Sequence, residues 1–155
     1  MKILTFGSLN IDNTYAVEHF VQPGETMTAR ELKKFCGGKG LNQSISLSYA
    51  GAAVRHFGCV GSDGDMLINM LNACGVNTDA VKKLPDFPSG HAIIQVDKNG
   101  QNSIMGLTNL LSFCIINDSQ VGSVKCTKNM LDKACSVCYN TTCSEMERCP
   151  SGLRS

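Results

Sequence analysis

Tryptophan does not occur in this chain, and aromatic residues make up only 6% of it. Stacking of unpaired bases needs a row of exposed rings, so the composition argues against a single-stranded nucleic-acid platform. Neither sign of charge predominates, with 14 Lys and Arg facing 13 Asp and Glu. A near-neutral balance offers no field to steer nucleic acid or an anionic membrane surface, and neither is an expected partner. Long apolar runs are missing as well. Met1 to Gly7 is too short for a signal-peptide core and has no small-residue cleavage site. Leu110 to Ile116 is interrupted by Ser112 and falls far short of a bilayer's thickness. A soluble, cytoplasmic protein is expected, and the Asn-x-Ser/Thr triplets at Asn42, Asn117 and Asn140 then read as chance matches. His19, His56 and His91 are scattered singly, and surface or satisfied core positions explain them without a catalytic role.

Cysteine, by contrast, is plentiful. There are nine, an odd number that argues against a fully paired disulfide framework. Cys36, Cys59 and Cys74 are spread over the first hundred residues, while the other six crowd between Cys114 and Cys149. The chain therefore changes character near residue 105. A total of 155 residues is one domain's worth, enough to bury roughly 70% of the surface of its unfolded form.

From Met1 to Ile104 the pattern is that of an α/β domain. An apolar first strand runs into Gly7-Ser8-Leu9-Asn10-Ile11-Asp12, at a strand's carboxyl end, where open α/β sheets bind ligands. Pro23-Gly24-Glu25-Thr26 is a turn, flanked by candidate short strands at Thr14 to Val17 and Thr26 to Leu32. Gly37-Gly38-Lys39-Gly40 opens a helix with Leu41, Ile45 and Ser48 on one face, and Gly51 stands at its cap. Val54 to Val60 predicts a strand. A helix follows, with Ser62 or Asp63 as N-cap, Leu67, Met70, Leu71 and Cys74 on its buried face, and Gly75 ending it. His91 to Asp97 and Asn102 to Ile104 predict a hairpin turned at Asn99-Gly100.

Two features carry chemistry. Glycines let backbone N–H groups approach a ligand closely, and a helix N-terminus favours negative charge or hydroxyl oxygens. Lys39 is followed by Gly40 rather than Ser or Thr, so the loop is not a P-loop, nor does it have the spaced glycines of dinucleotide sites. By itself it reads equally well as a tight strand-to-helix turn. Asn10 and Asp12 alternate on an extended segment, so their side chains point the same way. A lone Asn-x-Asp is more often an Asx-turn. With Lys39 and Asn42 facing the same crevice, however, the four would form a polar cluster suited to the vicinal hydroxyls of a polyol.

In order and spacing, Gly7 to Asp12, Pro23 to Thr26, Gly37 to Gln43 and Gly58 to Asp63 resemble the N-terminal half of ribokinase and its relatives in the phosphofructokinase B (PfkB) carbohydrate kinase family. Gly90 to Ile94 and Asn99-Gly100 resemble the family's lid strands, so the likeness runs from residue 1 to 104. It implies part of a ribokinase-like, Rossmann-like three-layer α/β sandwich with a small β-lid. It also implies ATP-dependent phosphorylation of a sugar hydroxyl, ribose first among candidates, with Mg²⁺ and a monovalent cation in full-length relatives. By position, Asn10 and Asp12 bind sugar hydroxyls, and Gly38, Lys39 and Asn42 complete the pocket. The lid strands close over the sugar and support a homodimer or heterodimer. The family's Gly-Ala-Gly-Asp-type motif, which supplies the catalytic Asp beside the nucleotide, does not occur in these residues. The chain is therefore expected to hold no catalytic residue, to bind ATP poorly, to bind sugar weakly or not at all, and to be inactive alone.

Residues 105–155 match nothing in that pattern. Cys135, Cys138, Cys143 and Cys149 could offer four thiolates to zinc, but their spacing fits no common finger and the tail contains no histidine. The favoured reading is a poorly ordered foreign ending, from alternative splicing, a frameshift or a gene-model error, with reduced cysteines and no metal. The alternatives to a truncated kinase are a non-catalytic partner pairing through its lid with an intact kinase, or a metal-binding adaptor built on the cysteine tail.

Overall fold

The computed structural model describes residues 2–107, which lie within one compact unit, Met1–Gln120. The elements, in chain order, are β1 (Lys2–Phe6), β2 (Asn10–Ala16), β3 (Glu31–Gly37), α1 (Lys39–Tyr49), β4 (Ala53–Gly61), α2 (Asp65–Ala73), β5 (Asn77–Leu84), β6 (Gly90–Val96) and β7 (Asn102–Leu107). Of the residues set apart from 105 onward, Met105 to Leu107 complete β7, paired with β6; the rest of that cysteine-rich segment, and with it the zinc and foreign-ending readings, lies outside the described residues.

Two sheets result. The first, in the order β1-β4-β5, is wholly parallel. Parallel neighbours cannot be joined by a tight turn, so helices carry the chain back: α1 leads into β4, and α2 leads from β4 to β5. Successive strands are added on the same side, so right-handed crossovers put both helices on one face of the sheet. The second sheet, in the order β3-β2-β6-β7, is mixed. β2 pairs antiparallel with β3 and parallel with β6, and β6 pairs antiparallel with β7.

Helix boundaries follow from glycine. Gly38 enters α1 at φ 99°, a conformation that ends the preceding strand. At the other end Gly51 has φ 83°, with its N–H on the Ser48 carbonyl (2.9 Å) and the Ala52 N–H on the Leu47 carbonyl (3.1 Å). This is a Schellman motif, and α2 repeats it at Gly75 (φ 76°), with Gly75 N–H on Asn72 and Val76 N–H on Leu71.

The core lies between the parallel sheet and the helices. Leu41, Val54, Val60, Leu67, Leu71 and Val76 are buried there together with Leu9 and Ile11 from the entry to the second sheet. Leu67 and Leu71, at 0% exposure, each contribute about 1.5–3 kcal/mol by leaving water. On β4 the even-numbered residues Val54, His56, Gly58 and Val60 are all buried on the helix side. The opposite face carries the Phe6–Phe57 ring pair, 5.5 Å between centroids, and Leu4 at 59% exposure.

The structure departs from expectation at three points. The lid strands are β2 and β3, which start at Asn10 and Glu31 rather than Thr14 and Thr26. The N-cap of α2 is Gly64, without a side-chain cap, because the Asp63 carboxylate accepts the Ser89 N–H instead (2.7 Å). Strand β5 was not anticipated. The expected β6–β7 hairpin is present, its three-residue loop placing Gly100 in the left-handed region (φ 77°). Gly100 N–H bonds to the Asp97 carbonyl, and Asp97 N–H to Gln101, both at 3.0 Å.

Candidate functional site

Three stretches meet where the two sheets part: the β1–β2 connection, the β3–α1 junction and the start of β6. Asn10 is flanked in the second sheet by Gly37 on β3 and Gly90 on β6. Neither neighbour has a side chain, and the space is taken by β2. A methyl group on Gly90 would come within 2.5 Å of Asn10 Oδ1, and one on Gly37 within 2.0 Å of Asp12 Oδ2. Asn10 and Asp12 therefore share one face of β2, as alternate residues of a strand must, and both lie over bare glycine backbone.

Asn10 is buried, at 9% exposure, whereas Asp12 is half-buried. Burial raises the Asp12 carboxyl above its ordinary range.

The helix start is pressed into the same corner. A methyl on Gly38 would meet the Ser8 carbonyl oxygen at 2.5 Å and the Asn10 nitrogen at 3.0 Å. One on Gly40 would meet the Gly7 carbonyl carbon at 2.4 Å. The Leu41 N–H donates to the Ser8 carbonyl at 3.2 Å, tying the first turn of α1 to the β1–β2 connection. Lys39 and Asn42 stand exposed in that turn. The structure thus brings Asn10, Asp12 and Gly38 together, and sets Lys39 and Asn42 on the helical turn that begins there.

Beneath the turn lies a buried polar group that no sequence motif marks. Thr5 Oγ1 and Ser44 Oγ are 2.6 Å apart, and each reaches His56 Nδ1, at 3.1 and 2.7 Å. Ser44 Oγ also donates to the Gly40 carbonyl at 2.9 Å. His56 is fully buried, and its Nε2 makes no hydrogen bond of good geometry. Burial pushes its pKa down to about 4, only partly opposed by the Gly7 carbonyl, so the ring is neutral. His91 lies at the start of β6, and His19 pairs with Glu25 at the surface (2.9 Å).

Two further residues of the corner, Gly37 and Gly90, lie outside the set of pocket residues expected from the sequence. Their signal was a glycine at the end of a strand, which marks a close approach of some other group.

This arrangement suits a hydroxylated ligand. A carboxamide donates and accepts, a carboxylate accepts, and neighbouring hydroxyls do both. Among the described residues no helix is long and apolar enough to cross a membrane.

Residues 1–115 match the family described as pfkB family carbohydrate kinase. Ribokinase from Haemophilus influenzae is 35% identical over 125 residues, which cover 77% of this chain and 41% of that protein. A crystal structure of ribokinase from Cryptococcus neoformans in complex with ADP superposes with a TM-score of 0.63 at 41% identity, covering 68% of this chain and 33% of that one. Arabidopsis thaliana ribokinase complexed with ribose and ATP gives 0.59 at 31% identity, covering 67% and 35%. The chain spans less than half the length of each of these relatives. On the match over residues 1–115, this chain belongs to the pfkB family of carbohydrate kinases.

Proposed function

We propose that this chain is the sugar-binding portion of an ATP-dependent kinase that phosphorylates a sugar hydroxyl, with ribose as the preferred substrate. One observation carries the reading: Asn10 and Asp12 lie side by side over the bare backbone of Gly37 and Gly90, at the mouth of a glycine-lined helix start. In this reading Asp12 accepts from one sugar hydroxyl and Asn10 bridges its neighbour. Gly38 leaves room for the sugar, and Lys39 and Asn42 form the rim. ATP with Mg²⁺ and a monovalent cation would supply the phosphoryl group. The residues described offer them no motif, so no catalytic step is assigned to this chain.

The Gly-Ala-Gly-Asp-type sequence that the family resemblance associates with proton removal does not occur in these 155 residues. Phosphoryl transfer draws most of its rate from positioning and electrostatic stabilisation, so the chain by itself binds sugar weakly and does not turn over. A cytoplasmic location belongs to the same proposal. So does pairing through the lid, with a second copy or an intact kinase, which is supported by Phe35 on β3 and Met105 on β7, 51% and 66% exposed.

The test has two arms. Titration of the ¹⁵N-labelled chain with ribose to high concentration should shift the signals of Asn10, Asp12 and Gly38. An ADP-release assay should stay at the level of its no-enzyme control. Shifts elsewhere, or none, would overturn the pocket; turnover would overturn the inactivity.

A further inference from the structure

The lid sheet is rooted in the parallel sheet at a third point, remote in sequence from the glycine loop. The segment leading from β5 into β6 passes over the turn between β4 and α2. It lies so close that a methyl on Gly61 would come within 2.3 Å of the Phe87 carbonyl oxygen and of the Ser89 nitrogen. Specific bonds fix this crossing. The Ser62 N–H donates to the Phe87 carbonyl (2.9 Å), the Gly61 N–H to Ser89 Oγ (2.9 Å), and the Ser89 N–H to Asp63 Oδ1 (2.7 Å). Ser89 is 2% exposed and its bond with the Gly61 N–H is shielded from water, while its bond to the exposed Asp63 is partly so. Burial pushes the Asp63 carboxyl upward, but hydrogen bonds from Ser89 outweigh it and hold the group below its ordinary range, in the ionised form that accepts them.

The next residue, Gly90, begins β6 and lies opposite Asn10, with the Asn10 carboxamide oxygen resting where a Gly90 side chain would be. The chain of contacts therefore runs from Asp63 to Ser89 to Gly90 to Asn10. We propose that Asp63 is a positioning residue: by fixing Ser89 at the root of β6, it sets where the Asn10 carboxamide stands. For its ligand consequence the role rests on the sugar-pocket reading; for its effect on Asn10 it does not.

The experiment uses the ¹⁵N-labelled chain and reads the Asn10 side-chain amide signals together with hydrogen exchange of the Ser89 and Gly61 N–H groups. Asp63→Ala should displace the Asn10 signals and speed both exchanges roughly tenfold, the scale of one charge-assisted bond. Asp63→Asn keeps an acceptor for the Ser89 N–H and should restore most of the parent behaviour, which a mere loss of packing would not predict. Asp65→Asn, whose carboxylate pairs with Lys83 at the surface, serves as a control and should change neither readout.

Should Asp63→Ala fail to fold, Asp63→Leu keeps the bulk of the side chain while removing its acceptors and decides the matter: displaced Asn10 signals support the role. Unmoved Asn10 signals in a folded Asp63→Ala or Asp63→Leu variant overturn it. Ribose titration separates the two ideas. If the parent shows no ribose response, the pocket reading fails while the Asn10 signals still judge Asp63. If the parent responds, Asp63→Ala should weaken ribose roughly tenfold.

Discussion

Gly7 and Gly40 meet backbone to backbone, so closely that a side chain on either would fall within 2.6 Å of the other's Cα. The contact seats the first turn of α1 against the end of β1, and therefore fixes the distance between the helix start and Asn10.

Gly40→Ala should consequently lower stability by about 1–3 kcal/mol, the usual cost of forcing extra volume into a filled site. It should also move the ribose-sensitive signals. Gly106 has nothing within 4 Å of an added methyl and no left-handed φ, so Gly106→Ala should stay within about 0.5 kcal/mol of the parent. Urea unfolding of the two variants measures the difference. Equal midpoints would show that the Gly7–Gly40 seat is not filled.

His56 should make the fold sensitive to acid. Its folded-state pKa of about 4 lies below the 6.5 of a free imidazole, so between those values the unfolded chain binds the extra proton. This contribution is fully present above pH 6.5 and is lost as pH falls toward 4, a span worth roughly 3 kcal/mol. His56→Phe cannot take up the proton and should lose that part of the slope. Unfolding free energies at several pH values, compared between parent and variant, isolate the effect from the carboxylates. Parallel curves would mean that the imidazole is not held neutral.

Asp12 should show function and stability pulling apart. Its carboxyl is raised in the folded state, so its favourable contribution is present below pH 3.8 and is lost as pH rises through the raised value. At neutral pH the ionised group is a net cost to the fold. Asp12→Asn should therefore unfold at a higher urea concentration than the parent at pH 7. Ribose would lose a charged acceptor, and its affinity should fall by tenfold or more. A variant that binds ribose as well as the parent would remove Asp12 from the pocket.

Much of this was legible in the sequence, and for identifiable reasons. Gly51 and Gly75 mark the helix ends because only glycine relaxes in the conformation a Schellman motif needs. The β6–β7 hairpin announced itself through Asn99-Gly100, although the turn it forms uses Gly100 alone in the left-handed region. β5 escaped notice because Asn77–Leu84 lacks a clean alternation, and none of its residues is fully buried. β3 was misplaced because five of its seven residues are exposed and carry no core pattern. Ser62 or Asp63 is the expected helix cap, since a short polar residue before a helix usually is one. The partner of Asp63 is 26 residues away, and no local pattern shows that. The same holds for Thr5, Ser44 and His56, which come together only through the β1–β4 register and the crossover of α1.

The floor under Asn10 and Asp12 is main chain, contributed by Gly37 and Gly90. A surface of that kind has no substituent to exchange for a larger, smaller or differently charged one, and any addition collides with the polar pair above it. On the sugar-pocket reading, selectivity among hydroxylated ligands has to be adjusted at the rim, where Lys39 and Asn42 are exposed.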